Sequence, residues 1–541
     1  MDLKSKISSS ASPYENTPCC LGSFTSFSPI RLNDLIIVLG KMKSSSCSVD
    51  ILPHSVLSGS ITSIGPTLLS IINSSLRQGC VPSYFKHAEV TPLLKKQNLD
   101  PSSASNYRPI SKLPFVSKLL KISSGLYYVN YTFLTLFQSG FQKQHSTETA
   151  LLRVYNDLLM ASDAGNCSVI ILLDLSAAFD TIDHKILLNR LKVLAAISGS
   201  ALDWFSSYLS DRTFSVRTDR FTSDIAALTC GVPQGSVLGP LLFSFYMLPL
   251  AGIIQSFSDL SYHFYADDIQ LHMSFKPHQL DRLSTLVQCL TQVSDCLSSN
   301  YLVLNTNKTE TMIIAPPELH SKISQVLASF CPSVKSNIRN LGVIFDSSLG
   351  LDSHVKSLSR SCFYHLRNIS KLRHMVSSAE LEKLIHAFVS SHLDYCNSLF
   401  TSLDKSSLSR LQTIQNAAAR LLTRSTKRVH ITPILYSLHW LPIEFRIRFK
   451  ILVLTYRALN GQAPDYLSKI LIKYTAARHL RSQTQSLLVV PRTRLKTKGD
   501  RAFQSVAPRL WNSLPLHLCL LDSVDSFKKL LKTLLFKQAF C

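Results

Sequence analysis

Two short apolar segments that contain carboxylates constrain this chain more than any other feature. Residues 169–174 (VIILLD) form a β-branched run that ends in Asp174, which predicts a buried strand. Residues 263–273 (HFYADDIQLHM) place two apolar arms around Asp267 and Asp268, which predicts a hairpin with both acids at its tip. The fold therefore has to accommodate charge at the ends of elements that are themselves buried.

Between and after these segments, apolar residues recur at the spacing of a helix. This spacing is found in five stretches: 66–79, 184–194, 281–297, 355–372 and 408–421. A third short strand is predicted at 341–345 (LGVIF). Strands interleaved with helices predict an α/β or α+β domain over roughly 90–350, and the texture beyond residue 350 is helical.

The charge of the chain points to an anionic partner. Its 541 residues include 57 Lys and Arg against 34 Asp and Glu, a formal charge of +23. Residues 361–541 hold 28 of the basic and 9 of the acidic residues, a net charge of +19. Such a basic block favours nucleic acid first and an acidic membrane surface second. With 45% hydrophobic and 17% charged residues, long acidic or polar disorder is excluded.

The cysteines and the N-terminal sequence exclude other classes of protein. Thirteen cysteines without a C-x-x-C pair argue against a disulfide-stapled secreted protein and against a zinc ribbon. The sequence lacks an apolar signal segment, and no run approaches the ~18 apolar residues of a spanning helix. An intracellular, soluble protein with no membrane partner is the simplest interpretation. The serine-rich residues 1–50 are expected to be a poorly ordered leader.

The three acids have a structural and a chemical interpretation. Asp174 can simply cap a turn at the end of its strand, and Asp267 with Asp268 can be a bare turn pair. Adjacent acids beside apolar flanks repel each other and resist ionisation, however, and a cation relieves that cost. Hard divalent ions such as Mg²⁺ take carboxylate oxygens and keep positions open for phosphate. Three acids from two strand ends could hold two ions about 3.5–4 Å apart, as in-line displacement at phosphorus requires.

Seven motifs, in order along the chain, carry a resemblance to a known family. They are NYRPIS (106–111), QSGFQKQHSTETALL (138–152), LLDLSAAFDTIDH (172–184), GVPQGSVLGPLLF (231–243), FYADD (264–268), NTNKTETM (305–312) and LGVIFD (341–346). Together they resemble the reverse transcriptases of LINE-type (non-LTR) retrotransposons, on the Jockey-like side of that group. The resemblance covers about 106–346.

The resemblance implies a fold and a set of catalytic acids. The fold would be α+β, a right-hand polymerase with fingers, palm and thumb, followed by a basic, mostly helical C-terminal region. By resemblance, residues 51–350 are fingers and palm, 351–425 a helical thumb and 426–541 a basic nucleic-acid-binding region. The catalytic, metal-binding acids would be Asp174, Asp267 and Asp268, with two Mg²⁺ (or Mn²⁺) ions as cofactors.

The activity implied by the resemblance is RNA-directed DNA polymerisation, the transfer of deoxynucleotides to a primer 3′-hydroxyl. The partners would be an RNA template, a DNA primer and deoxynucleoside triphosphates. The family acts in the nucleus, with the cytoplasm as the alternative. Two other functions stay open: a truncated, catalytically impaired remnant that only binds RNA or DNA, and an RNA-dependent RNA polymerase.

Six residues would bind the nucleotide by the same resemblance. Phe179 would be a steric gate that leaves no room for a 2′-hydroxyl. The other five are Gln234 and Gly235 in the glycine-rich loop, Arg108 and Lys112 in the fingers, and Lys308 near the leaving pyrophosphate. As alternatives, Phe179 can be a core aromatic, the loop a turn without a ligand, and the cations solvated surface residues.

The two densest basic runs are candidates for nucleic-acid binding. They are RSTKR (424–428) and RTRLKTKGDR (492–501). The residues concerned are Arg424, Lys427, Arg428, Arg492, Arg494, Lys496, Lys498 and Arg501. A charge run can also be an ordinary solvated face, but the basic bias of this region favours contacts with phosphate.

The sequence departs from the family pattern in two places. About 90 residues precede the fingers, too few for the endonuclease domain that LINE proteins usually carry, so the chain is not expected to nick its own target. Between Ile122 and Gln138 lie 15 residues, roughly half the usual length. A shortened segment there could misplace Arg108, and a misplacement of ~1 Å can cost ~10²-fold in rate.

Overall fold

The computed structural model describes residues 23–42, 50, 54–114, 117–118, 138–219, 221–328, 330, 333–475 and 487–540. The shortened segment after Ile122 lies outside these residues. The strands are β1 (His87–Leu94), β2 (Tyr107–Lys112), β3 (Cys167–Leu173), β4 (Leu175–Ser176), β5 (Thr213–Thr218), β6 (Phe221–Thr222), β7 (Ala226–Ala227), β8 (Leu260–Tyr265), β9 (Asp268–Phe275), β10 (Val303–Leu304), β11 (Glu310–Ile314), β12 (Asn337–Asn340) and β13 (Val343–Asp346).

The helices are distributed along the whole described chain. In order they are α1 (Leu32–Lys41), α2 (His54–Gly59), α3 (Ile61–Gln78), α4 (Thr147–Asp163), α5 (His184–Val193), α6 (Gly199–Leu209), α7 (Gly239–Tyr246), α8 (Leu248–Gln255), α9 (Leu283–Ser299), α10 (Pro317–Leu327), α11 (Asp352–Leu372), α12 (Ser378–Ile385), α13 (Ser391–Asp394), α14 (Lys405–Thr423), α15 (Ile431–Ser437), α16 (Ile443–Leu459), α17 (Asp465–Ser468), α18 (Phe503–Asn512), α19 (Leu516–Cys519) and α20 (Val524–Phe540). None of these helices is both long enough and apolar enough to cross a membrane.

A four-stranded antiparallel sheet, in the order β11-β3-β9-β8, forms the centre of the α+β part. The predicted strand at 169–174 and the predicted hairpin at 263–273 are both confirmed. β3 is buried on both faces, because Val169 and Ile171 pack into one hydrophobic cluster and Ile170 packs into a second one. Burial on both faces explains why this strand is a continuous apolar run rather than an alternating one.

A second sheet is built around β1. β1 pairs antiparallel with β2 and parallel with β5, and the short strands β6 and β7 both pair with β5. β2 carries Arg108 and Lys112, whose side chains are exposed. This sheet therefore presents two cations on its edge strand.

The N-terminal region is better structured than the sequence indicated. The expectation of a poorly ordered leader is wrong for α1, where Leu35 and Leu39 are almost fully buried. Their spacing of four residues places both on one helix face, which packs on α3. The predicted helix at 66–79 is confirmed as α3, which ends at Gly79 in the left-handed conformation (φ +65°). Residues 1–22 and 43–49 lie outside the described chain.

The region after residue 350 is helical, as predicted. The stretches 355–372 and 408–421 fall in α11 and α14. Their buried faces join the second cluster, which also contains Leu151 and Leu158 of α4 and Phe345 of β13. Helices α11 to α18 therefore share one core with the central sheet, whereas the buried residues of α19 and α20 belong to a third cluster.

Asp163, at the end of α4, fastens the basic run 492–501 to this core. Its side chain is buried, and its two carboxylate oxygens accept hydrogen bonds from the Arg494 N–H at 3.1 and 3.0 Å. One of these oxygens also accepts the Leu495 N–H at 2.6 Å. A Cβ atom on Gly499 would lie 2.5 Å from the Asp163 carboxyl carbon, so the chain passes too close for a larger residue.

We predict that Asp163→Asn lowers the free energy of unfolding by about 1–3 kcal/mol, because a neutral amide cannot accept all these hydrogen bonds. Urea unfolding measures the change. The matched control is Asp295→Asn, at an exposed position of α9. Equal stability of the two variants would contradict the anchoring role of Asp163.

Candidate active site

The central sheet brings the three candidate acids to one edge. Tyr265 of β8 pairs with Asp268 of β9, so Ala266 and Asp267 form the two-residue turn between these strands. On the other side of β9, Leu173 pairs with Ile269. The next residue along β3 is Asp174, which the register places beside Asp268. The convergence of acids from two chain segments is therefore present in the fold.

The electrostatics of the tip show that the acids influence one another. Solvent reaches the side chains of Asp267 and Asp268. The surrounding protein nevertheless displaces part of their hydration, and this raises the pKa of Asp268 to about 6, with the charges of Asp267 and Asp174 adding to the effect. Burial also raises the pKa of Asp267, where Asp174 adds to the rise and Arg108 and Lys308 oppose it. A cation at this edge would relieve the repulsion.

Lys308 supplies a cation at Asp174. Its Nζ lies 3.2 Å from Asp174 Oδ2, and its side chain is 62% exposed. The backbone brings the two residues together, because the Asn305 N–H donates to the Asp174 carbonyl at 2.8 Å and β10 pairs with β4. The resemblance placed Lys308 near the leaving pyrophosphate, whereas the structure pairs it with a candidate catalytic acid.

The acids do not form a closed metal-binding cluster. Among the described residues, no group of three or more His, Cys, Asp or Glu side chains could hold a metal ion. The donor set still fits Mg²⁺, which is commonly bound by one or two carboxylates together with water and substrate phosphates.

The glycine-rich loop after residue 230 packs on the turn that contains Phe179. The Val232 N–H donates to the Phe179 carbonyl at 2.8 Å. Gly231 has φ +81°, and a Cβ there would lie 2.8 Å from the Asp180 carbonyl oxygen, so this position requires glycine. The loop is therefore fixed against the turn by its backbone.

Asp180 is a functional candidate that the sequence reasoning missed. The Nε2 of Gln234 lies 3.0 Å from each carboxylate oxygen of Asp180. Burial raises the pKa of Asp180, while Gln234 and Lys95 oppose the rise. The position of Asp180 directly after Phe179 in the motif AAFDTIDH could have indicated a functional role. No local sequence pattern, however, indicates that Gln234, 54 residues away, is its partner.

The ring of Phe179 is held by an aromatic partner. It is half-buried and stacks on Phe243, with ring centroids 4.7 Å apart and planes inclined by 25°. The ring packs against the first hydrophobic cluster. Its position is therefore rigid, as a steric gate would require.

The second sheet also reaches the glycine-rich loop. The Ser111 N–H donates to the Gln234 carbonyl at 2.8 Å. Gly235 has φ +94°, and a Cβ there would lie 3.2 Å from the Ser111 carbonyl oxygen. Arg108 lies close enough to the acids to lower the pKa of Asp267. Lys112, on the same strand, has an exposed side chain.

The candidate nucleic-acid-binding residues divide into two groups. Lys498 and Arg501 are half-buried, and each donates a hydrogen bond within the protein, to the carbonyls of Ser348 and Ser402 respectively. The sequence did not indicate this internal use. The exposed residues are Arg424, Lys427, Arg428, Arg492, Arg494 and Lys496, of which Arg424 also donates a hydrogen bond to the Arg373 carbonyl at 3.2 Å.

Comparison with protein families identifies the central part of the chain. The family model "Reverse transcriptase (RNA-dependent DNA polymerase)" matches residues 94–345, which include β2 to β11 and all three acids. This segment is a reverse transcriptase domain of the LINE type, and the resemblance found in the sequence is confirmed. The α+β polymerase fold with a helical C-terminal region is confirmed with it.

The similar curated proteins are polymerases of insect mobile elements. "RNA-directed DNA polymerase from mobile element jockey" of Drosophila funebris is 29% identical over 385 residues, and the Drosophila melanogaster protein of the same name is 36% identical over 183. "Probable RNA-directed DNA polymerase from transposon BS" of Drosophila melanogaster is 28% identical over 383 residues. The matches to the transposon BS and Drosophila funebris proteins cover 66% of this chain and 40% of each relative. The match to the Drosophila melanogaster jockey protein covers 33% of this chain and 20% of that relative.

One solved structure has a weak overall similarity. It is telomerase from Candida albicans in complex with a fragment of telomeric RNA, with a TM-score of 0.33 and 15% sequence identity. The match covers 77% of this chain and 72% of the telomerase chain. At this TM-score the similarity supports no inference.

Proposed function

We propose that this chain is an RNA-directed DNA polymerase that transfers deoxynucleotides to a primer 3′-hydroxyl on an RNA template. The observation that carries the proposal is the meeting of Asp174 with Asp267 and Asp268 at one edge of the central sheet, inside a reverse transcriptase domain. The relatives' names support the same activity. Nuclear action, as in target-primed synthesis, is part of the proposal.

The proposed cofactor is a pair of Mg²⁺ or Mn²⁺ ions held by Asp174 and Asp267, with Asp268 beside them. Divalent ions would supply charge neutralisation at the phosphates and activation of the 3′-hydroxyl. Lys308 neutralises Asp174 when no cation is bound, and its exposed side chain is long enough to turn towards an incoming triphosphate. The chain's own task is to position these charges.

The proposed nucleotide site lies between the acids and the glycine-rich loop. Asp180 holds the Gln234 side chain, and the packed ring of Phe179 would exclude a 2′-hydroxyl. Arg108 would bind the triphosphate from the second sheet, with Lys112 farther along the same strand. Gly235 would allow close approach of the backbone to the nucleotide or template.

We propose that residues 351–425 act as the thumb and residues 426–541 as a basic nucleic-acid-binding region, with 51–350 as fingers and palm. The six exposed basic residues described above would contact phosphates. Lys498 and Arg501 are left out of this proposal, because they are half-buried and each is bonded to a backbone carbonyl.

We predict that purified protein extends a DNA primer on an RNA template with Mg²⁺, and that chelation of the metal abolishes extension. Asp267→Asn should lower the rate at least ~10²-fold, because charge neutralisation by bound metal is worth several kcal/mol. Asp295→Asn is the control. Salt-sensitive RNA binding without extension would contradict the proposal and favour a non-catalytic binding protein.

We predict that Phe179→Ala raises ribonucleotide incorporation relative to deoxynucleotide incorporation by about 10-fold, since removal of the ring opens space at the sugar. Competition between matched nucleotide pairs during primer extension measures the ratio. Phe179→Tyr retains a bulky ring and should keep the original preference. An unchanged ratio in an active Phe179→Ala preparation would show that this ring is only a core residue.

We predict that replacing Arg492, Arg494 and Lys496 with alanine weakens RNA binding by the full chain. The slope of log affinity against log salt should fall by about 2, since each phosphate contact to a single strand contributes ~0.7. The control removes three exposed lysines of α20: Lys529, Lys532 and Lys537. An equal change in slope for both triple variants would indicate bulk charge rather than a binding face.

A further inference from the structure

The turn that carries Asp267 has a conformation that its own sequence does not favour. Ala266 has φ +57°, a region that residues with a Cβ rarely adopt. The turn also lies at the closed end of the hairpin, beyond the last pair of Tyr265 and Asp268, so the pairing of β8 with β9 does not include Ala266. Something outside the hairpin must therefore hold this turn.

The side chain of Gln138 makes that contact. Its Oε1 accepts the Ala266 N–H at 2.7 Å, and its Nε2 donates to the Ala266 carbonyl at 3.0 Å. The same Oε1 accepts the Gly140 N–H at 2.8 Å, which fixes the amide orientation. Gln138 is 4% exposed, so these hydrogen bonds are shielded from competing water.

The backbone around Gln138 is fitted to the hairpin as closely as its side chain. The Ser139 N–H donates to the Phe264 carbonyl at 2.9 Å. A Cβ on Gly140 would lie 2.4 Å from the Ala266 nitrogen, so only glycine allows this approach. Residues 138–140 and the turn are therefore in direct contact over their backbones.

A hydroxyl network ties this contact to the C-terminal helices. Ser139 Oγ lies 2.8 Å from His263 Nε2 and 3.1 Å from the Tyr466 hydroxyl of α17. The Tyr466 hydroxyl donates in turn to Thr149 Oγ1 at 3.1 Å. These hydrogen bonds hold the segment 138–140 in place, so it has little freedom to move together with the turn.

We propose that Gln138 is a positioning residue for the candidate metal-binding acids. Its side-chain amide fixes both peptide groups of Ala266 and thereby sets the direction in which Asp267 leaves the turn. The inference rests on the proposed function, since it concerns the same acids. It assigns a task to the segment Gln138–Gly140, whose contacts with the turn are described above.

The test compares three variants of the full chain. Gln138→Met keeps the length of the side chain and removes its hydrogen bonds. Gly140→Ala keeps the amide and displaces the turn by steric contact. Gln142→Met, at a buried glutamine in the same loop, is the matched control. Near-ultraviolet circular dichroism and urea unfolding establish that each variant is folded.

The first readout is Mn²⁺ binding to the protein alone, measured by electron paramagnetic resonance. We expect the Mn²⁺ Kd to rise about 10-fold in Gln138→Met and Gly140→Ala and to stay unchanged in Gln142→Met. The second readout is primer extension, in which kcat should fall ~10–100-fold while the Kd for primer–template stays unchanged. A merely structural glutamine would lower stability without this separation of kcat from binding.

The outcomes separate this inference from the proposed function. If wild type extends primers and folded Gln138→Met matches it in Mn²⁺ affinity and kcat, the positioning role is overturned while the polymerase remains. If wild type binds Mn²⁺ but extends no primer, the polymerase proposal falls, and weaker Mn²⁺ binding by Gln138→Met still supports the positioning role. Absence of both Mn²⁺ binding and primer extension in wild type would overturn both.

Discussion

The pairing of β3 with β9 is the interaction on which the rest of this structure depends. Its register, with Leu173 opposite Ile269, brings Asp174 to the edge where the β8–β9 turn carries Asp267. A slip by one residue would turn every side chain of β3 to the opposite face, so that Val169 and Ile171 would point to the cluster that Ile170 now fills. Because both faces of β3 are buried in separate clusters, the core itself enforces the register that brings the acids together.

The sequence predicted the elements that have a local signature. The apolar run of β3, the apolar arms of the hairpin and the helical spacing of α5 and α11 could all be recognised within a dozen or two residues. The leader prediction failed at α1, because an apolar patch of five residues is short evidence for a helix. Leu35 and Leu39, one helical turn apart, nevertheless form a buried face of α1, because this helix packs on α3.

The contacts that complete the candidate site could not be predicted, since their partners lie far apart in sequence. Gln234 bonds Asp180 across 54 residues, Lys308 pairs with Asp174 across 134, and Gln138 reaches Ala266 across 128. The acids were predictable because their neighbours are apolar. No sequence periodicity indicates that a glutamine forms hydrogen bonds with a turn far away in the chain. These long-range contacts of the site can therefore be recognised only in the folded structure.

The basic C-terminal region shows that charge has two uses in this chain. Asp163 accepts backbone N–H groups of the basic run, while Lys498 and Arg501 donate to backbone carbonyls, so this run is docked on the core through hydrogen bonds. Docking fixes the run, and it leaves the neighbouring Arg492, Arg494 and Lys496 exposed on an ordered backbone. Ordered cations lose less entropy when they bind phosphate than cations on a free tail do. The internal bonds of two basic residues would thus favour the proposed binding of phosphate by the others.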